Sequence, residues 1–116
     1  MTQNRETLLA LADRVEKATA ESFDLFAESF DAIHGGRSSE RLLWSQFCAL
    51  IEAEAWLDAA MMLVPEGDIH LEIKHGKVWA FVGSPVRAAT AATPALTLCA
   101  AALRARATLD PTGDKA

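Results

Sequence analysis

The hydrophobic period of this chain changes once, and that change limits the folds open to it. From Ile69 to Lys74 the residues alternate strictly, with Ile69, Leu71 and Ile73 set against His70, Glu72 and Lys74. A repeat of two puts successive side chains on opposite faces of a strand, so the segment reads as β. His75-Gly76 follows as a two-residue turn, and Lys77 to Val82 returns as a second strand. A turn of that length dictates the register: Ile73 faces Val78, Leu71 faces Ala80 and Ile69 faces Val82. His70, Glu72, Trp79 and Phe81 then share the opposite side. After Gly83-Ser84-Pro85, the small-sided run Val86 to Ala92 supplies a third strand.

On both sides of this block the pattern is helical. Leu8, Leu11, Ala12, Val15 and Ala18 define a first helix over about Asn4 to Thr19, capped by Thr2 or Asn4. Phe23, Phe26, Ala27, Phe30 and Ile33 define a second, from Ser22 to the terminator Gly35-Gly36. Ser38 or Ser39 caps a third that reaches Val64, with Trp44, Phe47, Cys48, Ile51, Ala55, Ala59 and Met62 on one side. Glu52 and Glu54 mark a candidate break in it, and Pro65-Glu66-Gly67 ends it. Thr93-Pro94 opens the last helix, a cap followed by proline at the first helical position. That helix runs to about Ala107 and buries Leu96, Cys99, Ala102 and Leu103. The expected fold class is α+β, in the order α-α-α-β-β-β-α. Because both sheet faces carry bulky residues, the three-stranded antiparallel meander is expected to be sandwiched by helices. Residues 1–108 form the expected domain and 109–116 a flexible tail.

Charge narrows the function classes. Eleven basic against sixteen acidic residues give a net charge of −5, which argues against general affinity for nucleic acid or an anionic membrane. The longest uncharged run, Ala88 to Leu103, is shorter than a membrane span and contains Pro94. The start of the chain lacks the basic and apolar regions of a secretory signal. Cys48 and Cys99 sit in apolar runs, as in a reduced cytoplasmic protein. A soluble cytoplasmic chain is expected.

Four stretches carry a resemblance. They are Leu11 to Glu16 (LADRVE), Leu57 to Gly67 (LDAAMMLVPEG), Gly76 to Ala80 (GKVWA) and Ala91 to Ala105 (AATPALTLCAAALRA). Together they resemble the phage ABA-sandwich group, small uncharacterised proteins of phages and prophages. The likeness covers about half of the chain, mainly Ala55 to Ala107. It implies a helix–sheet–helix sandwich, action inside a host bacterium, and no catalytic residues.

Few side chains suggest chemistry. His70 and Glu72 share a strand face, but no third metal ligand or catalytic partner accompanies them. The His-x-Glu spacing of zinc deaminases is present without their Pro-Cys-x-x-Cys segment. Cys48 and Cys99 lie mid-helix without a neighbouring base, and read as small buried hydrophobes. Gly35-Gly36-Arg37-Ser38-Ser39 precedes a helix but lacks the lysine and spacing of a phosphate-binding loop. No enzyme activity, cofactor or metal is therefore expected.

Contact surfaces are the stronger candidates. Glu21, Asp24, Glu28 and Asp31 recur at helical spacing and form an acidic line, a solvated face or a mimic of phosphates. Residues 1–66 carry five basic and twelve acidic side chains, while residues 67–116 carry six and four. The second half has the element order of a double-stranded-RNA-binding domain, with Lys74, Lys77, Arg104 and Arg106 as a thin set of cations. Trp44, Trp79 and Phe81 belong to an aromatic load large enough to leave apolar surface over, as in a homodimer or partner interface. The expected function is that of a non-enzymatic phage accessory protein acting through protein–protein contacts, including self-association. The alternatives are an anti-CRISPR-like inhibitor that uses the acidic helix as a nucleic-acid mimic, and a module that binds double-stranded RNA.

Overall fold

The computed structural model describes residues 5–35, 41–64, 69–75, 77–82 and 87–109. Four helices precede the sheet: α1 (Arg5–Lys17), α2 (Phe23–His34), α3 (Arg41–Glu52) and α4 (Trp56–Met61). Strands β1 (Ile69–Lys74), β2 (Lys77–Val82) and β3 (Arg87–Thr90) follow, and α5 (Pro94–Leu109) closes the order. The sheet is antiparallel in the sequence β1-β2-β3. Its β1–β2 register pairs Ile73 with Val78, Leu71 with Ala80 and Ile69 with Val82, as the two-residue turn requires. His75 takes φ 53, the left-handed conformation that a mirror-image hairpin turn demands of its first residue. The class is α+β, with helices, then the meander, then a helix.

Two features refine the expected order. The long third helix divides at the candidate break that Glu52 and Glu54 marked, and the break has a defined geometry. Glu54 turns left-handed at φ 59. Its N–H donates to the Ile51 carbonyl at 2.9 Å, and the Ala55 N–H donates to that of Leu50 at 2.8 Å. That pair of bonds is a Schellman stop, which satisfies the carbonyls at the end of α3 and re-aims the chain into α4.

The second refinement concerns layers. Helix packing against the sheet comes chiefly from α5, which lies on β2 and β3. Ala80, Val82 and Ala89 are buried beneath it, whereas Trp79 and Phe81 on the opposite face stay half-exposed. Among the described elements the sheet is thus an outer layer rather than the filling, and α5 occupies the middle. Its other sides meet α1, α4 and α2. Every residue from Ala95 to Leu103 is buried, as are Ala105 and Ala107. A helix that is apolar all round belongs inside, and alanine lets neighbouring backbones approach from several directions.

Local signals place the ends of the central helices. Thr93 caps α5, its Oγ1 accepting from the Leu96 N–H at 3.1 Å. Ser22 caps α2 by accepting from the Leu25 N–H at 3.2 Å, and Gly35 ends α2 at φ 80. Between α2, α3 and α4 lies an aromatic cluster: Phe26, Phe30 and Phe47 are fully buried, with Trp44 and Trp56 packed against them. The candidate caps Thr2, Asn4, Ser38 and Ser39 lie outside the described residues, as do Pro65-Glu66-Gly67, Gly76, Gly83-Ser84-Pro85 and residues 110–116 of the expected tail.

Candidate functional site

The acidic line does not form one free surface. Glu21 precedes the Ser22 cap, so it lies outside α2 and is directed elsewhere. It accepts a 2.6 Å hydrogen bond from Thr93 Oγ1, which ties the approach to α2 to the start of α5. Glu28 is held by Arg14, whose two guanidinium nitrogens donate at 2.8 and 3.0 Å. This hydrogen bonding keeps the Glu28 carboxyl below its usual pKa. Asp31 lines a hollow between α1 and α2 together with Arg14 and Glu28, so a cation sits among the carboxylates. Asp24 is exposed. A phosphate mimic needs uncompensated charge, and tertiary pairing has removed part of it here.

Other acidic groups of the first half are matched likewise. Arg104, on α5, donates to Glu16 from Nε and Nη2 at 2.7 Å each and reaches Asp13 at 3.3 Å. The bond to Glu16 raises the pKa of the guanidinium further. Arg104 is thereby committed to α1 and is not available as a phosphate contact for the RNA-binding alternative.

Two of the buried polar groups, Cys99 and Ser29, bond to each other. Cys99 donates to Ser29 Oγ at 3.3 Å, and Ser29 donates to the Leu25 carbonyl at 2.9 Å. Burial pushes the Cys99 thiol up to about 12, so its thiolate is strongly disfavoured at neutral pH. Cys48 is half-buried on α3. His34 sits on the Phe30 ring, its Nε2 3.2 Å from the Met62 carbonyl, and so joins α2 to the end of α4. Among the described residues, no three His, Cys, Asp or Glu side chains converge to hold a metal.

Trp44 and the Trp79–Phe81 pair, grouped by sequence as surplus aromatics, separate in space. Trp44 packs edge-on against Phe30 at 5.2 Å and Phe23 at 6.0 Å, which makes it part of the aromatic cluster. Trp79 and Phe81 lie on the outer sheet face. With Lys74 and His75 they line an open hollow of about 290 Å³. His70 flanks it, its ring 5.7 Å from that of Phe81. Glu72 bridges the row, 3.4 Å from His70 Nε2 and 3.3 Å from Lys74 Nζ. The hydrogen bond from Lys74, then that from His70, lowers the Glu72 pKa. Such a face, with an aromatic floor and a polar rim that includes the Lys74 ammonium, can hold an apolar group with a hydrogen-bonding group beside it.

The edge strand β1 is more exposed than its alternation implies. Ile69, Leu71 and Ile73 belong to the face that α5 covers, yet they are 38%, 41% and 79% exposed because α5 covers β2 and β3 instead. Their alternation signalled burial, and only the lateral position of the helix reveals otherwise. Among the described residues, no helix is long and apolar enough to cross a membrane. No protein-family model matches the chain, and neither does any curated protein or solved structure.

Proposed function

We propose that this chain is a small non-enzymatic accessory protein, of the phage or prophage kind implied by its resemblance, that works by protein–protein contact in the bacterial cytoplasm. The observation that carries the contact reading is the open outer face of the sheet. Trp79 and Phe81 are half-exposed there beside Lys74 and His75. Tryptophan in a concave, partly desolvated setting is the residue type that most often dominates binding energy. The partner is a protein presenting an apolar side chain next to a hydrogen-bond acceptor such as a carboxylate, which the Lys74 ammonium on the rim would meet.

Affinity capture from a bacterial lysate tests this with two sets of variants. Trp79→Ala with Phe81→Ala should lose the captured protein, and Asp24→Lys with Asp31→Lys should keep it. The reverse pattern would move the function to the acidic helix and favour the anti-defence reading. Capture that is unchanged in both sets would rule out both surfaces.

A further inference from the structure

We propose that β1 is a self-complementary edge through which two copies of this chain join their sheets into one antiparallel sheet. The reading shares with the contact function above the premise that the chain acts by association. It concerns the sheet's edge rather than its outer face.

The backbone decides which groups are free. β1 is an edge strand, and its hairpin closes on the pair Lys74 and Lys77. In a two-residue hairpin the closing pair is hydrogen-bonded, and bonded and non-bonded pairs then alternate along the ladder. Lys74, Glu72 and His70 therefore direct their N–H and C=O groups toward β2, while Ile73, Leu71 and Ile69 direct theirs outward. These three residues also carry the exposed apolar side chains, at 79%, 41% and 38%. An edge of this kind, unpaired among the described residues, is a template for another strand.

The sequence of β1 makes a second copy the fitting strand. With a two-fold axis at Leu71, Leu71 meets its own counterpart, and Ile69 meets Ile73 of the other copy. Each is a pairing of outward-directed residues, so each exchanges two N–H···O bonds. On the outer face the same axis sets His70 opposite Glu72 of the other copy, twice. Moving the axis to Glu72 would oppose two carboxylates, which repel, and would take His70 away from Glu72 of the other copy. An axis at Ile73 would oppose Glu72 with Lys74 but set Leu71 against the turn residue His75, so the Leu71 register is the one that pairs all three outward apolar residues with one another.

Cysteine cross-linking reads that register directly. Opposed residues in a hydrogen-bonded pair have Cα atoms about 5.5 Å apart, within disulfide range. Leu71→Cys should therefore cross-link the full chain under mild oxidation, as a band at twice the 12.5 kDa monomer mass. Ile73→Cys should not, because its counterpart lies four residues along the strand, roughly 13 Å away. Each variant is made with Cys48→Ser so that the new thiol is the accessible one. In sedimentation equilibrium the unmodified chain should approach the dimer mass by roughly 100 µM, the weak range expected of a small interface. Leu71→Pro should remain monomeric, because it removes an outward N–H and leaves the β2 ladder intact. Glu72→Lys should weaken the dimer roughly tenfold, and His70→Glu added to it should restore it, with circular dichroism confirming the fold of each variant. A chain that stays monomeric at the highest concentration overturns the proposal. So does cross-linking at Ile73 but not at Leu71, or a dimer indifferent to Leu71→Pro. Loss of partner capture in the Trp79 and Phe81 variants leaves these results untouched, so the two readings fail separately.

Discussion

Arg104 grips Glu16 side-on, two guanidinium nitrogens to two carboxylate oxygens, each at 2.7 Å. The pair joins α5 to α1 across 88 residues of sequence and is about three-quarters shielded from solvent. Paired forks of this kind are the stronger class of ion pair, because both partners are oriented before the bond forms.

Removing Arg104 should therefore cost more than removing a surface charge. Arg104→Leu leaves Glu16 and Asp13 without their shared cation and should destabilise the fold by about 1–3 kcal/mol. Adding Glu16→Gln should recover part of that loss, so the double variant falls short of the sum. Urea denaturation of the four proteins measures the coupling.

Glu54 holds a left-handed backbone that glycine adopts without steric penalty. Glu54→Gly should stabilise the protein by about 0.5–1 kcal/mol, because the Schellman bonds to Ile51 and Leu50 require that conformation and do not use the side chain. A lower melting temperature for the variant would contradict this account of the break between α3 and α4.

The Arg14–Glu28 pair predicts a pH dependence of definite sign. Arg14 lowers the folded-state pKa of Glu28, so the folded state favours the ionised carboxylate more than the unfolded chain does. That stabilisation is complete above the unfolded value of about 4.3 and is lost as pH falls through the lower folded value. Glu28→Gln should flatten this acid limb of the stability curve and leave its slope near neutral pH unchanged. The effect should be small, because both side chains are about half exposed and solvent screens them. Chemical denaturation from pH 7 down to about 3 would show it.

Aromatic residues should divide by location rather than by type. Phe30 is fully buried, and Phe30→Ala should cost about 3–5 kcal/mol. Trp79 stands half-exposed on the outer sheet face, and Trp79→Ala should cost about 1 kcal/mol while removing the proposed partner contact. Equal losses from the two variants would mean that the outer face is structural.

The hairpin was legible because a strict alternation and a two-residue turn leave one register that keeps Ile69, Leu71 and Ile73 on one side. The central place of α5 was not. Its alanines carry no periodic contrast, so the sequence marked Leu96, Cys99, Ala102 and Leu103 and left Ala100, Ala101 and Ala105 unassigned. The stop at Glu54 was visible only as a polar interruption, since glutamate gives no sign of a left-handed backbone. At the candidate sites, the shared face of Trp79 and Phe81 is legible because both alternate with the aliphatic residues of the hairpin. The partners within the acidic line are something that spacing cannot reveal. Arg14 and Thr93, which engage Glu28 and Glu21, come from other elements and meet them only after the chain has folded.

The middle position of α5 also has a consequence in time. It follows every other described element in chain order, yet it is the surface on which the helices and the sheet come together. During synthesis, α2, α3 and α4 can already gather their aromatic cluster, but α1 and the hairpin emerge before the helix they pack against. They can associate only locally until residues 94–109 have left the ribosome. Loops as long as the one that Arg104 and Glu16 close must then form in a single late step, which slows folding relative to a bundle of sequential helix pairs. In that interval the apolar edge of β1 stands open to neighbouring chains.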